Sequence, residues 1–499
     1  MPTPELKVRR WKGIRLYYPK SEKATDELSQ ATNVMFDREG VLVSRPGFNH
    51  MEELTPAAPS SSTVVGMGSP VCMWNNHATS TVHMMFTKSD RLWYSDGVND
   101  WIDASFTAVP GYEGVMYGEK CYFASGVFWN GNLVNPHSGM PTGKEVISVH
   151  KDRLWITTRN NTLAGTDPQR IYFSEPGVPD SGSWPAANFI DVRTGTPNRG
   201  LVSYRDSIYI FKPESVWVLN TGGLPANWTL RQLGDKGSIG GYCVYNNSLY
   251  WLGGDGLFSY NGVEINKLSD AIQKHFDDIL IDYDDTCQVV GYDGNLYIQY
   301  KQLGGPRIFW IYNIARKAFT VVTPPFGSQT GRMIAIHQRA GTVTDNWKPG
   351  VYFGSGQDAA VNAVHRPNLW KFDEEYHTDT NHLDVIQDYD IIVETAQIDF
   401  DEPHDKKRVQ LCTLEGQFEN LTVEQIDEED RSKVVSWSGL NTFYTQLQRF
   451  PGIGYCRSVR FKITGPSGNA GVKIYALRAE LKPRGRESAN QAGTYALQP

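Results

Sequence analysis

Hydrophobic and polar positions along this chain alternate with the two-residue period of β-strands, in short runs separated by polar turns. One phrase keeps returning: a polar turn, a Leu or Ile beside an aromatic, then alternating residues. It reads SDRLWYSDG at Ser89–Gly97, KDRLWITTR at Lys151–Arg159, RDSIYIFKP at Arg205–Pro213, NNSLYWLGG at Asn246–Gly254 and DGNLYIQYK at Asp293–Lys301, with a weaker copy, GEKCYFASG, at Gly118–Gly126. Successive aromatic pairs lie about 62, 54, 41 and 47 residues apart, close to the roughly 40–50 residues of a four-stranded propeller blade. Each phrase is answered by a second hairpin strand, as in QRIYFSEPG at Gln169–Gly177, ESVWVLNTGG at Glu214–Gly223, DGLFSYNGVEI at Asp255–Ile265 and RIFWIYNIARKAFT at Arg307–Thr320. Asp-Gly and Asn-Gly pairs beside them suit the positive φ angles of two-residue hairpin turns.

The pattern predicts an all-β chain: a six- or seven-bladed β-propeller over residues 63–388, with the last blade carried by GVYFGSG at Gly350–Gly356 and RPNLWKFDE at Arg366–Glu374. A β-sandwich with repeated aromatic dipeptides is the plainer alternative, and the regular spacing favours the propeller. Trp93, Trp155, Tyr209, Tyr250 and Tyr297 fall at one repeat position, which marks them as blade core in preference to stacking platforms for sugars or bases. A short helical insertion is expected at Ser269–Leu280, with Ser269 as N-cap and Ile272, Phe276, Ile279 and Leu280 at helical spacing. Residues 1–62 form an N-terminal arm ending in a Pro/Ser-rich linker, TPAAPSSS at Thr55–Ser62. Strict alternation in VRFKIT at Val459–Thr464 and its neighbours predicts a β-sandwich-like module over 389–482, and 483–499 is a polar tail, either disordered or ordered on a partner.

Composition agrees with short strands and tight turns: 12% aromatic residues are set among 47 Gly and 27 Pro in 499 residues. A net charge of -7 lacks the basic footprint of tight nucleic-acid binding, yet an acidic wall past which DNA slides remains compatible with it. The six cysteines, Cys72, Cys121, Cys243, Cys287, Cys412 and Cys456, are widely scattered and are expected to be reduced core thiols in a reducing compartment. No apolar h-region follows the basic N-terminus and no uncharged run approaches the ~18 residues of a membrane span, so neither secretion nor membrane anchoring is expected.

Nucleotide-binding and hydrolase signatures of the GxGxxG, GxxxxGK[ST], GxSxG and HExxH kinds are absent from the sequence. Two acidic or His-bearing clusters, His377–Asp384 with Asp401–Lys407 and Asp282–Asp285, read as solvated loops and caps, so no metal, cofactor or catalytic residue is assigned. SDGVNDW at Ser95–Trp101 loosely resembles the Asp-box of sialidase blades but occurs once. A carbohydrate-binding or glycan-cleaving propeller therefore stands as the alternative to an assembly part.

The arm carries a more specific pattern. An aromatic-Lys-Gly opening at Trp11, Lys12 and Gly13 precedes Asn33 and Val34, then Asp37, Gly40, Leu42, Arg45, Pro46, Gly47 and Phe48 in the order Asp-x-x-Gly-x-Leu-x-x-Arg-Pro-Gly-Phe. This resembles the start of tail proteins of tailed bacteriophages, of the hub or nozzle kind that stabilise packaged DNA. The resemblance implies a non-enzymatic virion part assembled in host cytoplasm, forming a hexameric ring below the portal and adaptor. Tail fibres or other tail proteins would attach nearby, and DNA would pass through without sequence-specific contact. Trp11, Lys12, Gly13, Arg45, Pro46, Gly47 and Phe48 are the candidate assembly contacts on this view, because they lie outside the blade repeats.

Overall fold

Seven four-stranded antiparallel sheets follow one another in the computed structural model, spanning 68–107, 114–136, 146–191, 200–234, 242–267, 288–322 and 330–373. The structure describes residues 5–483 apart from 9–10, 15–26, 52–67, 77–80, 96–101, 108–112, 160–166, 178–183, 280–286, 325–329, 338–346, 356–367, 381–385, 400–405, 440–445 and breaks of one to three residues elsewhere. The first strands of the seven sheets touch in cyclic order, and the seventh, Thr330–Ile336, meets the first, Gly68–Asn76. The sheets are therefore blades 1–7 of a closed β-propeller. Blade 7 takes only three strands from its own stretch; its outer strand is Gly47–Met51 from the arm, with Phe48 opposite Phe372 and Gly47 opposite Asp373. The ring is closed by the N-terminal arm, so the arm is not separate from the propeller as the sequence suggested.

The repeated phrase is the hairpin between the first and second strands of a blade. Lys151 and Asp152, Arg205, Asn246 and Asn247, and Asp293 and Gly294 all have positive φ, the geometry that matches a two-residue turn to strand twist. Trp155, Tyr209, Tyr250 and Tyr297 follow on second strands and are buried. Trp93 is buried too, but it sits on Arg91–Ser95, the third strand of blade 1. It answers to the third-strand phrases, and the weaker copy at Gly118–Gly126 is the true first hairpin of blade 2. The period-two signal is identical for both hairpins, which is why the sequence did not separate them.

A second regularity lies one residue before each turn. Tyr117 of blade 2 donates its hydroxyl to Asp152 of the next blade's turn, to the backbone oxygen at 3.2 Å and to the carboxylate. His150 of blade 3 bonds Ser203 Oγ at 2.8 Å and Thr221 Oγ1 at 2.7 Å in blade 4. Tyr204 donates to the Asn247 carbonyl at 2.8 Å, and Tyr245 accepts from the Gly294 amide at 2.7 Å. Between blades 6 and 7 the Tyr292 ring packs on His337, with centroids 6.1 Å apart. The inner strands of blades 2 to 6 thus each end in a polar ring that meets the blade ahead.

The expected helix is shorter than its pattern: a 3-10 turn at Asp270–Ile272 and one α-turn at Gln273–Phe276. Ser269 stands at the N-cap as expected, its carbonyl accepting the Ile272 amide at 3.0 Å, but its hydroxyl makes no capping bond and instead accepts the Leu257 amide at 3.0 Å. Ile272, Phe276 and Ile279 are nonetheless buried in the main core.

The C-terminal strands form two layers, each completed by the arm. In one, Val34–Phe36 and Leu42–Ser44 lie beside Lys473–Pro483, Lys407–Gln417 and Gln446–Cys456, with Glu5–Val8 also paired to Lys473–Pro483. In the other, Leu28–Thr32 joins Asp390–Thr395, Ser458–Pro466, Leu421–Asp427 and Ser432–Trp437. Thr32 also pairs in parallel with Val321 of blade 6, so this layer and the blade are one ten-stranded sheet. Val459, Phe461 and Ile463 point into a core that also holds Trp310 and Phe319 of blade 6 and Trp11 of the arm. The linker and the tail beyond 483 lie outside the described residues.

The expectation of six free thiols is corrected for two. Cys72 of blade 1 and Cys121 of blade 2 form a disulfide, while Cys243, Cys287, Cys412 and Cys456 are free. Burial pushes the Cys243, Cys412 and Cys456 thiols up to about 12, which leaves them unreactive.

Deleting residues 1–53 removes the outer strand of blade 7 and four strands of the sandwich. It is expected to abolish cooperative thermal unfolding, measured by near-ultraviolet circular dichroism; an unchanged transition would show that the propeller closes without the arm. A pH effect follows from His150, whose pKa burial lowers from 6.5 to about 4. The unfolded chain binds the extra proton between those values, so stability is full above about pH 6.5 and falls as pH drops towards 4. His275 and His377 are lowered for the same reason and act in the same direction. Denaturant titrations from pH 7 to 4 should show a shallower loss for His150→Gln than for the wild type.

Candidate functional site

Arg45, the centre of the arm motif, is fully buried. Its guanidinium makes two parallel bonds to Asp379, Nη1 to Oδ1 at 2.8 Å and Nη2 to Oδ2 at 2.7 Å. The remaining donors reach Asn33 Oδ1 at 3.1 Å, the Pro46 carbonyl at 2.8 Å and the Thr323 carbonyl at 3.2 Å. Its planar face lies 3.7 Å from the centroid of Tyr389 and 4.8 Å from that of Phe48. Every polar proton is satisfied and the charge is matched by a buried carboxylate, which is the condition for such a pair to be tolerated. Asp379 also accepts the Phe48 amide at 2.9 Å.

The rest of the motif serves the same junction. Asn33, at φ 57°, accepts the Thr323 amide and donates to the Asp390 carbonyl, so it ties blade 6 to the sandwich. Asp37 Oδ1 accepts the Glu39 and Val41 amides, and Gly40 takes the positive φ that turn needs. A side chain at Gly47 would place its Cβ 2.0 Å from the Thr378 carbonyl. One at Gly13 would meet Ala318 Cβ at 2.7 Å. Phe48 stands edge-on to Phe353 and Phe372 in the core of blade 7.

This corrects the assignment of these residues as assembly contacts. Trp11, Gly13, Arg45, Pro46, Gly47 and Phe48 are buried inside their own chain, and Lys12 alone among the seven is exposed. A side chain already packed within the subunit has no surface to offer a neighbour. Of the described members of the His377–Asp384 cluster, Asp379 serves Arg45, and His377 Nδ1 lies 3.4 Å from Ser44 Oγ. Residues 282–285, 381–385 and 401–405 lie outside the described part.

A cavity of about 140 Å³ on the propeller axis gathers Glu113 of blade 2, Arg159 of blade 3, Tyr242 of blade 5, Gln288 of blade 6 and Arg332 of blade 7. Glu113 forms an ion pair with Arg159, whose Nε donates to the Arg199 carbonyl at 2.9 Å and whose amide donates to Glu145 Oε2 at 2.8 Å. The Tyr242 ring fits against Gly200, where a Cβ would come within 2.0 Å of it, and stacks on Phe211 at 5.0 Å. From there its hydroxyl crosses the axis to Glu113, 3.4 Å from Oε1 and 3.5 Å from Oε2. Burial, and then the Glu113 charge, raise the Tyr242 pKa well above its ordinary value, so the hydroxyl keeps its proton at neutral pH and serves as a hydrogen-bond donor. Among the described lining residues the carboxylate is Glu113, and it is engaged by Arg159 and Tyr242. The arrangement is a bolt across the axis between blades 2, 3, 4 and 5. No sequence signal announced it, since its members come from four separate repeats.

With its fold and this junction defined, the chain is a β-propeller protein with a β-sandwich module fused to blade 6. No family model and no curated protein matches it. Among solved structures it is similar to U3-55K at 9% identity and a TM-score of 0.39, over 65% of this chain and 99% of that one. It is also similar to the N-terminal domain of Nup159, at 10% and 0.34 over 88% and 100% of the two chains. An exo-β-1,3-galactanase from Phanerochaete chrysosporium follows at 9% and 0.30, over 86% and 99%. At such distance these likenesses carry no argument about activity. No helix among the described residues is long and apolar enough to cross a membrane.

Replacing Arg45 by Met strands Asp379 in a dry site and is expected to cost about 3–5 kcal/mol. Arg45→Lys should recover little, since one ammonium cannot reproduce the forked donors. Urea denaturation reads both; a loss below about 1 kcal/mol for Arg45→Met would remove the pair from its central place.

Proposed function

We propose that this protein is a non-catalytic structural part of a tailed-phage virion: a ring-forming tail nozzle or hub that sits below the portal and adaptor and forms part of the DNA conduit. The observation that carries the reading is the arm motif. Its members, from Asn33 to Phe48, are the residues that weld arm, propeller and sandwich into one body. A motif with that job suits a component that must keep its shape while other parts attach to it.

The conduit lies at the axis of the ring of subunits, six on the resemblance, and not at the blade axis, which Glu113, Arg159 and Tyr242 bridge. The net charge of -7 is compatible with a wall that DNA passes without sticking. Portal, adaptor and fibre proteins are the expected neighbours, and assembly takes place in the host cytoplasm.

Light scattering on the purified chain, followed by negative-stain imaging of the same fraction, tests the proposal. Rings with a central hole are expected, together with no turnover in a glycan panel. Turnover of a glycan by a monomer would replace this reading with the carbohydrate-active one.

A further inference from the structure

A second cavity, of about 290 Å³, opens between blades 4 and 5 on the face that carries the latch turns. Arg205, Asp206, Tyr209, Asn220, Arg231 and Tyr260 line it, and two arginines against one aspartate leave one net positive charge. Arg205 is held in place: its Nη2 donates to the Asn261 carbonyl at 2.7 Å, and Gly262 lies so close that a Cβ there would be 1.9 Å from Nη1. Arg231 is exposed on the outer strand of blade 4. The turns that leave Asn220 and Tyr260 carry Leu224 and Val263, which are 72% and 87% exposed. Cationic groups in a cavity rimmed by protruding aliphatic side chains are the composition of a protein-docking surface.

The complement is on the same chain. Between blade 7 and the sandwich, Ile386 is 66% exposed and is followed by the exposed Asp388 and Asp390. This segment is rigid too. Ile386–Gln387 pairs with Asp379–Thr380, Tyr389 is buried against Arg45, and the Asp390 carbonyl accepts Asn33 Nδ2 at 2.7 Å. One apolar side chain and two carboxylates on this segment thus match, in charge and character, the two guanidinium groups and two apolar tips of the cavity.

The geometry points to a head-to-tail contact between copies of this chain, in which Ile386, Asp388 and Asp390 of one copy enter the blade 4–5 cavity of the next. Because the two surfaces differ, the contact is heterologous, and repeating it closes a ring or extends a filament. The inference rests on the proposed ring-forming role and names the contact that makes the ring.

Sedimentation velocity of the full chain at low and high salt tests it. The wild type should self-associate at low salt and dissociate as salt screens the contact. Arg205→Glu with Arg231→Glu, and separately Asp388→Arg with Asp390→Arg, should each give monomers with unchanged circular dichroism, weakening association at least tenfold. An equimolar mixture of the two variants should associate again, since each then offers the other a complementary surface. Leu224→Ser with Val263→Ser should weaken association without removing its salt dependence. A wild type that stays monomeric at low salt overturns the contact. Rings that persist in both charge-reversed variants also overturn it while leaving the ring-forming role intact, and a mixture that fails to associate does so as well.

Discussion

Arg45 and Asp379 are taken out of water together, and most of the architecture is arranged around making that tolerable. A buried charge needs a partner in good geometry and partners for its remaining donors. Here those are supplied by Asn33 and Pro46 of the arm, Thr323 after blade 6, Asp379 after blade 7, and the Tyr389 ring at the start of the sandwich. The five groups come from four regions of the chain, so none of those regions reaches its final place without the others. This constraint makes arm, ring closure and sandwich a single cooperative problem.

The closure of the ring shows why. A propeller must join its last blade to its first, and three local strands leave blade 7 with an open outer edge. Gly47–Met51 covers that edge, and Asp379 accepts the Phe48 amide at the point where the strand enters. Arg45 therefore fixes the register of the closing strand as well as the position of the sandwich. The junctions from blade 2 through to blade 7 use a simpler device, the polar ring at the end of the inner strand, which needs only a hydroxyl or an imidazole and a neighbouring blade to meet.

What was legible in the sequence follows from which interactions are local. The first hairpins could be read because turn chemistry, period-two alternation and an aromatic pair fall within nine residues, as in Asp293–Lys301. The latch was visible in hindsight as Tyr117, His150, Tyr204, Tyr245 and Tyr292, each just before its turn, but nothing local says where such a ring reaches. Trp93 was placed on the wrong strand because third-strand hairpins carry the same alternation. The arm failed for a deeper reason. Arg45 and Asp379 are 334 positions apart, and a lone Arg-Pro-Gly-Phe looks like a surface turn until its carboxylate is known. The axial cavity is the extreme case, with Glu113 and Tyr242 separated by 129 positions.

Rigidity at this junction also bears on how the molecule can work. Blade 6 continues through Leu28–Thr32 into the sandwich as one ten-stranded sheet, and a common core runs beneath both. A hinge there would have to break ladder hydrogen bonds and open a buried ion pair, both of which are costly. Motion in service of a gate or a catalytic lid is therefore disfavoured between these two units. The axial bolt restrains the propeller in the same way, because separating blades 2 and 3 from blades 4 and 5 would part Glu113 from Tyr242 and Arg159 from the Arg199 carbonyl. Recognition on such a body falls to exposed side chains, among them the turns on the latch face and those between blade 7 and the sandwich. A body this stiff positions its surfaces and does not reshape them, and its specificity has to come from where fixed charges and apolar tips are placed.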